Sequence, residues 1–179
     1  MSAGNRTRWG WHYLDDSVAR RLVAEAGISP GDLVLDIGAG SGALTAPLLD
    51  RGARVVAVEL HAGRAAALRR RFADRPVTVV QTDATDLRLP RRPFRVVANL
   101  PFAGTTAILR RLLSPSSRLV RADLVVPRHV AARWSGGRGA GGTGWQSSFE
   151  VWTSQRLARR AFHPPPPGDA SVLVIRRRL

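Results

Sequence analysis

The chain has 179 residues and a net charge of +15, since all 28 of its basic residues are arginine and only 13 residues are acidic. Its length suits one domain with a substantial core. The absence of cysteine excludes disulfides, thiolate catalysis and cysteine zinc sites, and four scattered histidines argue against a histidine metal site. No uninterrupted apolar run approaches about 18 residues and no secretory leader is visible, so a cytoplasmic protein is expected. The positive surplus favours a polyanion such as nucleic acid as partner.

The N-terminal segment is polar and basic. We predict a flexible basic arm over 1–10, followed by a single domain over 11–179. Arg6 and Arg8 of the arm are interleaved with aromatic side chains, namely Trp9, Trp11 and Tyr13. Such a pattern suits either stacking on unpaired bases or docking of the arm onto the domain.

A glycine-rich loop follows the first buried strand of the chain. A first helix, capped by Asp15 or Asp16 and ended by Gly27, precedes the apolar strand. Residues 33–42 read Leu-Val-Leu-Asp-Ile-Gly-Ala-Gly-Ser-Gly, and a helix over 43–49 comes next. Strand, glycine loop and helix in this order often hold a nucleotide-like ligand, although a tight turn without a ligand has the same pattern.

Strands and helices then alternate, which predicts right-handed βαβ units and a parallel sheet. Strands are expected at 54–60, 77–83, 94–102 and 122–126, and helices at 63–72 and 105–113. Residues 135–144 are too rich in glycine for either element and are expected to be a flexible loop. Residues 149–161 and 171–178 are predicted to form two closing strands, perhaps antiparallel. The proline-rich segment 162–168 between them is expected to stay out of the sheet.

Four successive strands end in a polar side chain, namely Asp36, Glu59, Asp83 and Asn99. In a parallel sheet these ends share the edge at which ligands bind. Glu59 is placed to accept hydrogen bonds from two ribose hydroxyls. Asp83 could accept from an adenine amino group, with the Ala84 N–H on the ring. Asp36 would repel a pyrophosphate but attract a sulfonium or ammonium group, which favours S-adenosylmethionine over NAD.

The sequence Asn99-Leu100-Pro101-Phe102 is the most specific pattern in the chain. The exocyclic amine of adenine is a weak nucleophile, because its lone pair is delocalised into the ring. A carboxamide oxygen and the Leu100 carbonyl can accept its two hydrogens and direct the lone pair at a methyl group. Proline fixes the backbone, and the aromatic ring can stack on a base turned out of its helix. The pattern therefore predicts methyl transfer to an adenine amine, governed by alignment rather than by a general base.

These motifs resemble the ribosomal RNA adenine-N6 methyltransferases, and the erythromycin-resistance branch in particular. The resemblance runs from Trp11 to Arg178 and is carried by the residues at 36–45, 58–60, 83–84, 99–102, 105–109 and 161–166. It implies a Rossmann-like S-adenosylmethionine-dependent methyltransferase fold, with a mostly parallel seven-stranded sheet and helices on both faces. It also implies methylation of one adenine N6 in 23S ribosomal RNA, which would confer resistance to macrolides, lincosamides and streptogramin B.

The resemblance also implies roles for individual residues. The target adenine would lie between Phe102 and Phe162, and its amine would meet Asn99 and the Leu100 carbonyl. The resemblance implies cofactor contacts at His12, Leu14, Gly38, Glu59, Asp83 and Asn99, and the glycine loop and strand ends add Asp36, Gly40, Leu60 and Ala84 as expected cofactor-binding residues. The basic arm and the arginine clusters of the domain supply the expected RNA-binding residues, which are Arg6, Arg8, Arg64, Arg69, Arg70, Arg71, Arg91 and Arg92. No metal and no membrane partner are expected, and the protein is expected to be a monomer.

Two departures from the family pattern bear on function. The usual Gln-Asn-Phe-Leu is replaced by Trp11-His12-Tyr13-Leu14, in which histidine can still donate a hydrogen bond. The small helical domain that usually follows the last strand is expected to be absent, so RNA affinity would come from the catalytic domain. Small-subunit ribosomal RNA and DNA adenine are alternative substrates, although a DNA enzyme would more often carry Asn-Pro-Pro-Tyr. A non-catalytic RNA-binding or ribosome assembly factor and an NAD-dependent oxidoreductase are alternatives from other classes.

Overall fold

The computed structural model describes residues 12–136 and 144–179. The arm predicted at 1–10 and most of the glycine-rich loop predicted at 135–144 lie outside the described residues. The strands are β1 (Tyr13–Leu14), β2 (Leu33–Ile37), β3 (Arg54–Glu59), β4 (Val77–Gln81), β5 (Phe94–Asn99), β6 (Leu119–Pro127), β7 (Phe149–Leu157), β8 (Phe162–His163) and β9 (Ala170–Arg177). The helices are α1 (Asp16–Ala26), α2 (Thr45–Asp50), α3 (Ala62–Arg71), α4 (Thr105–Leu112) and α5 (Arg128–Ser135).

Seven strands form one sheet in the order β4-β3-β2-β5-β6-β9-β7. All neighbouring pairs are parallel except the two that involve β9, which runs antiparallel to both β6 and β7. The predicted mostly parallel seven-stranded sheet and the antiparallel closing pair are both confirmed. The chain moves outward from β2 to β4 and then returns to the other side of β2 as β5. The carboxyl ends of β2 and β5 therefore meet at a topological switch point, where open α/β sheets bind ligands.

Helices cover both faces of the sheet, as predicted. One apolar cluster joins Leu22 of α1, Leu48 of α2 and Leu68 of α3 to one face. A second joins Leu109 of α4 and Trp134 of α5 to the other face. Because the central strands are buried on both sides, they consist of nearly continuous apolar residues. Among the described residues, no helix has both the length and the apolar character that crossing a membrane requires.

The boundaries of α1 follow the predicted signals. Asp15 is the N-cap, and its side chain accepts hydrogen bonds from the backbone N–H and the hydroxyl of Ser17. Gly27 ends the helix in a left-handed conformation with φ of 63°. Helix α5 was not predicted. It follows Pro127 without a side-chain cap and buries only two side chains, those of Ala131 and Trp134, so its periodic signal is weak.

The prediction that residues 162–168 stay out of any sheet was wrong for the first two of them. Phe162 pairs with Leu14 and His163 pairs with Tyr13, so that β8 and β1 form a separate two-stranded antiparallel sheet. The Phe162 side chain is fully buried in the apolar cluster under α1. A ring in this position cannot stack on a target adenine, because both of its faces are covered by protein. We therefore withdraw Phe162 from the predicted base-stacking pair.

We predict that Phe162→Ala lowers the free energy of unfolding by about 3–5 kcal/mol, as expected for removal of a buried aromatic ring. Urea denaturation followed by circular dichroism would measure this loss. Phe102→Ala is the matched control, because the Phe102 ring is only partly buried and its loss should matter much less for stability. An equal loss for both variants would contradict the core position of Phe162.

A candidate cofactor and base-binding site at the strand ends

A cavity of about 360 Å³ lies at the switch point between β2 and β5. This volume is within the range of small-molecule sites in proteins. The predicted cofactor-binding and catalytic residues that line it are His12, Leu14, Asp36, Gly38, Gly40, Glu59, Leu60, Asp83, Ala84, Asn99, Leu100, Pro101 and Phe102. Phe162 does not line it, whereas Arg64, which was predicted to bind RNA, does. The fold thus brings side chains from four strand ends into one cavity.

The glycine loop touches the Asn99–Phe102 segment directly. Gly38 has φ of 77°, and its backbone N–H donates to the Val58 carbonyl at 2.8 Å. A Cβ on Gly38 would lie 3.3 Å from Cδ of Pro101 and 3.4 Å from the carbonyl oxygen of Asn99. Glycine is therefore required at this position both by the backbone conformation and by the close approach of the two loops.

Glu59 organises the glycine loop through main-chain contacts. Its Oε2 accepts from the Gly40 N–H and its Oε1 from the His61 N–H, each at 2.9 Å. Arg64 forms an ion pair with Oε1 at 2.9 Å, and the Glu59 side chain is only 4% exposed. Oε1 thus has two protein donors, and Oε2 retains capacity for a ligand hydroxyl. The guanidinium of Arg64, which was predicted to contact RNA, lies beside Glu59 and lines the cavity.

Asp36 is buried beneath the loop, where its Oδ2 accepts a hydrogen bond from the Thr45 hydroxyl at 2.7 Å. Burial is the main cause that raises the pKa of Asp36, to about 7, with the charge of Glu59 adding to the effect and the Thr45 hydrogen bonds opposing it. This raised pKa makes the folded chain less stable as the pH rises from the ordinary range of a carboxyl towards 7. A cation bound nearby would favour the ionised form and release a proton.

Asp83 is largely exposed at the end of β4, in a different environment from Asp36. Its Oδ1 accepts from both the N–H and the hydroxyl of Thr85, at 2.8 and 2.7 Å. These hydrogen bonds hold the pKa of Asp83 below its usual range, so this side chain is ionised at neutral pH. Oδ2 accepts no hydrogen bond from the described residues and can therefore accept one from a ligand.

Asn99 ends β5, and its side chain has a defined orientation. The Nδ2 atom donates to the main-chain carbonyl of His12 at 2.8 Å, which leaves Oδ1 as an acceptor. Thr105 Oγ1, at the first residue of α4, donates to the Pro101 carbonyl at 2.7 Å. Gly104 precedes it with φ of 85°, which allows the chain to turn from the site into the helix. Segment 99–102 is therefore held at both ends.

The other predicted RNA-binding arginines are scattered. Arg6 and Arg8 lie outside the described residues. Arg69 donates to the Val79 carbonyl and Arg71 to the Ser41 carbonyl, so both side chains have partners within the fold. The remaining predicted residues are Arg70, which is exposed near the end of α3, and Arg91 and Arg92, which are exposed before β5. Since Asn99 is at the other end of β5, Arg91 and Arg92 lie about 20 Å from it along the strand.

Sequence reasoning missed several residues at the edge of the cavity. Three hydroxyl groups, those of Thr45, Thr85 and Thr105, hold the carboxylates and the 99–102 backbone in place. Their donors and acceptors lie up to nine positions away, and no spacing rule identifies such pairs. Arg128 and Arg160 were also missed; both are exposed and follow the ends of β6 and β7 at the edge that carries Asn99.

We predict that affinity for S-adenosylmethionine rises about tenfold between pH 5.5 and pH 7.5, because a cationic ligand favours ionised Asp36. Isothermal titration calorimetry across this range would measure the effect. Asp36→Asn should bind more weakly at pH 7.5 and should lose the dependence, since asparagine does not titrate. If the variant showed the same pH dependence as the unsubstituted protein, another group would be responsible.

Comparison with known proteins shows which family the chain belongs to. Residues 3–179 match the family described as ribosomal RNA adenine dimethylase. The chain is 40% identical to a ribosomal RNA small subunit methyltransferase A of Synechococcus, over 95% of this chain and 68% of that protein. It is also 40% identical to an rRNA adenine N-6-methyltransferase of Corynebacterium diphtheriae, over 80% of this chain and 57% of that protein.

Solved structures show the same relationship. The 23S rRNA methyltransferase ErmE is 30% identical and matches with a TM-score of 0.82, over 93% of this chain and 70% of that one. A dimethyladenosine transferase from Plasmodium falciparum shares the fold with a TM-score of 0.80 at 22% identity, over 93% of this chain and 64% of that one. These matches support S-adenosylmethionine as the methyl donor for a cavity formed by the glycine loop and the Asn99–Phe102 segment. The chain belongs to the ribosomal RNA adenine dimethylase family of methyltransferases.

Proposed function

We propose that the protein transfers one or two methyl groups from S-adenosylmethionine to N6 of one adenine in 23S ribosomal RNA, in the cytoplasm. This methylation confers resistance to macrolides, lincosamides and streptogramin B. The contact between Gly38 and Pro101 carries the proposal, because it joins a cofactor cradle to an adenine-amine site. The choice of 23S RNA rests on two features that resemble the erythromycin-resistance branch, the run Thr-Ala-Ile-Leu-Arg-Arg-Leu-Leu at 106–113 and the three arginines at 176–178. The similarity to ErmE supports it.

The residues of the cavity fit S-adenosylmethionine. Gly38 and Gly40 lack the Cβ atoms that would fill the cradle. Oε2 of Glu59 and Oδ2 of Asp83 have capacity to accept from ribose hydroxyls and from the adenine amino group. Asp36 supplies a buried carboxylate for the cationic part of the ligand. When bound, the cofactor supplies a methyl group on a sulfonium, which is a good leaving group, so this chain's residues need only align the acceptor.

The orientation of Asn99 determines how an adenine amine would be held. Because Nδ2 donates to the His12 carbonyl, Oδ1 accepts one N6 hydrogen of the target adenine, and the Leu100 carbonyl accepts the other. Two acceptors on one amine direct the nitrogen lone pair away from the ring plane and towards the methyl group. With S-adenosylmethionine held by the glycine loop, Glu59 and Asp83, methyl transfer would replace its S–C bond by an N–C bond to the adenine, and the nitrogen would then lose a proton to solvent. Phe102 stacks on the base and stabilises the positive charge that develops on it.

Small-subunit ribosomal RNA is the second candidate substrate. The 40% identical Synechococcus relative is named for it, and this identity equals that of the C. diphtheriae rRNA adenine N-6-methyltransferase. Both substrates use the same cavity chemistry. They differ in the RNA around the adenine, which residues outside the cavity must recognise.

We propose that RNA contacts the carboxyl edge of β6 and β7 rather than the surface around Arg91 and Arg92. Val125 of β6 pairs with Asn99, and Arg128 is three residues further along the chain. This places Arg128 roughly 11 Å from Asn99, given strand spacing and rise. Arg160 is exposed two residues before Phe162, whose strand partner Leu14 lines the cavity. Phosphates that flank a base inserted at Phe102 would pass close to both guanidinium groups.

We predict transfer of labelled methyl from S-adenosylmethionine to protein-free 23S RNA, and much slower transfer to 16S RNA or 30S subunits. Primer extension would locate the modified adenine. Asn99→Ala should abolish transfer and leave cofactor affinity within about tenfold, because Asn99 chiefly holds the acceptor. Faster transfer to small-subunit RNA would establish the second candidate. Cofactor binding without transfer to any ribosomal RNA would refute the enzymatic proposal and favour an assembly factor.

We predict that the double variant Arg128→Gln/Arg160→Gln weakens RNA binding and lowers the slope of log affinity against log salt by about 1–2, one phosphate contact for each arginine removed. Fluorescence anisotropy with a labelled RNA over a salt series would measure the slope. Arg91→Gln/Arg92→Gln removes the same charge at the opposite edge and serves as the matched control. A larger change in the control than in the double variant would place the RNA on the other surface.

A further inference from the structure

Strand β1 lies over the cavity and pairs with β8, which belongs to the segment 162–168 that was expected to stay out of a sheet. Tyr13 and Leu14 pair with His163 and Phe162, and the N–H of the next residue donates to the Ala161 carbonyl at 2.9 Å. We call this pair of strands, β1 and β8, the clip. The clip is anchored in the core, since Leu14 is 5% exposed and Phe162 is fully buried. The Tyr13 ring covers the glycine loop, 3.4 Å from where a Cβ on Gly40 would lie.

His12 immediately precedes the clip and makes three contacts that bear on the site within the described part of the chain. Its main-chain carbonyl accepts from Nδ2 of Asn99 at 2.8 Å. Its imidazole Nδ1 bonds to the Pro164 carbonyl at 2.8 Å, and because a carbonyl can only accept, Nδ1 carries the hydrogen. The imidazole also packs on Phe102, with ring centroids 5.3 Å apart and planes at 33°. One residue thus links the clip to two groups of the adenine-amine site.

We propose that His12 is a positioning residue for methyl transfer, because it sets both the orientation of the Asn99 carboxamide and the position of the Phe102 ring. This inference rests on the proposed function and goes beyond a cofactor contact for His12. It also assigns a role to Phe162 and His163, because these residues pair with the strand that directly follows His12 and hold it in place.

The carboxamide contact has a chemical consequence. If the Asn99 side chain were rotated by half a turn, its NH₂ group would face the target amine, and two donors would oppose each other. The His12 carbonyl excludes that orientation because it would then face Oδ1, another acceptor. The carboxamide is therefore set before the base arrives, which is the condition for efficient alignment.

The ring contact restrains Phe102. The residues after it include Gly104 with φ of 85°, a position at which the backbone turns into α4. Phe102 itself is only partly buried, so packing from the protein interior does not confine it fully. Offset or tilted contacts between rings at such distances are favourable. The Pro164 carbonyl holds the His12 imidazole, and the imidazole packs on one side of the Phe102 ring. The other side of the ring is then available for a base.

Selective labelling can test the carboxamide contact without any activity measurement. The chain contains only two asparagines, Asn5 and Asn99, so [15N]asparagine gives two side-chain NH₂ signals. Asn99→Ala assigns them by loss of one pair. His12→Ala retains the main-chain carbonyl but removes the imidazole that anchors this backbone to Pro164, so we expect the Asn99 pair to shift and to exchange with water several-fold faster. His163→Ala is the matched control, because it removes an imidazole that is 71% exposed from the same clip and should leave the pair unchanged.

Kinetics test the consequence for transfer. In His12→Ala we expect kcat for RNA methylation to fall about tenfold while the Kd for S-adenosylmethionine changes less than about threefold. His12→Phe keeps an aromatic ring on Phe102 but loses the bond to Pro164, so kcat should recover only in part, to a value between those of His12→Ala and the unsubstituted enzyme. A mere cofactor contact would instead raise Kd and leave kcat unchanged. A purely structural role in the clip would affect His163→Ala as much as His12→Ala.

The outcomes separate this inference from the proposed function. If the unsubstituted protein methylates no ribosomal RNA, the proposed function fails, and the NMR comparison still decides whether His12 orients Asn99. If it does methylate RNA but His12→Ala keeps its kcat, the positioning role is refuted. An unchanged Asn99 pair in His12→Ala, or a His12→Phe variant as slow as His12→Ala, would also refute it.

Discussion

The site depends on the contact between two loops that are far apart in sequence, the glycine loop after β2 and the Asn99–Phe102 segment after β5. Because the chain returns to the opposite side of β2, these loops are forced together at the switch point. Their separation is so small that a single Cβ on Gly38 would meet Pro101. In the proposed reaction, this close approach would set the distance between a methyl donor in the cradle and an amine at Asn99. The hydrogen bonds around the cavity hold these two loops in their relative position.

Hydrogen bonds within the protein already hold one part of three polar side chains at the cavity, those of Glu59, Asp83 and Asn99. Glu59 accepts from the N–H of Gly40 in the glycine loop and from that of His61 after β3, Asp83 accepts from Thr85, and the Asn99 amide donates to the His12 carbonyl. Each of these side chains keeps an acceptor that the described residues do not use fully. Such an arrangement restrains these side chains before a ligand arrives, so that little order remains to be created on binding. Asp36 is the exception, since its environment favours the protonated form until a cation arrives.

Local patterns predicted much of the fold, and contacts between distant residues account for what they missed. Alternation of apolar strands with capped helices identified the seven-stranded sheet, and strand ends identified the acids of the cavity. The clip was invisible because each strand has two residues and its partner is about 150 positions away. Helix α5 buries two side chains and has no cap. The burial of Phe162 follows from the clip, so a role inferred for its ring from the resemblance alone could not anticipate it.

The positive charge of the chain likewise predicts a type of partner but not the residues that contact it. Its composition predicts a polyanionic partner but cannot say which arginines meet it. In the fold, many guanidinium groups bind main-chain carbonyls or carboxylates: Arg69, Arg71, Arg95, Arg111, Arg121, Arg159 and Arg177. Five donors in a planar fork make arginine suited to such internal contacts as well as to phosphate. The arginines that we propose for RNA contact are therefore those that follow a strand ending at the same edge of the sheet as Asn99. The order of the strands determines which arginines lie at this edge, and the number of arginines in the sequence does not reveal it.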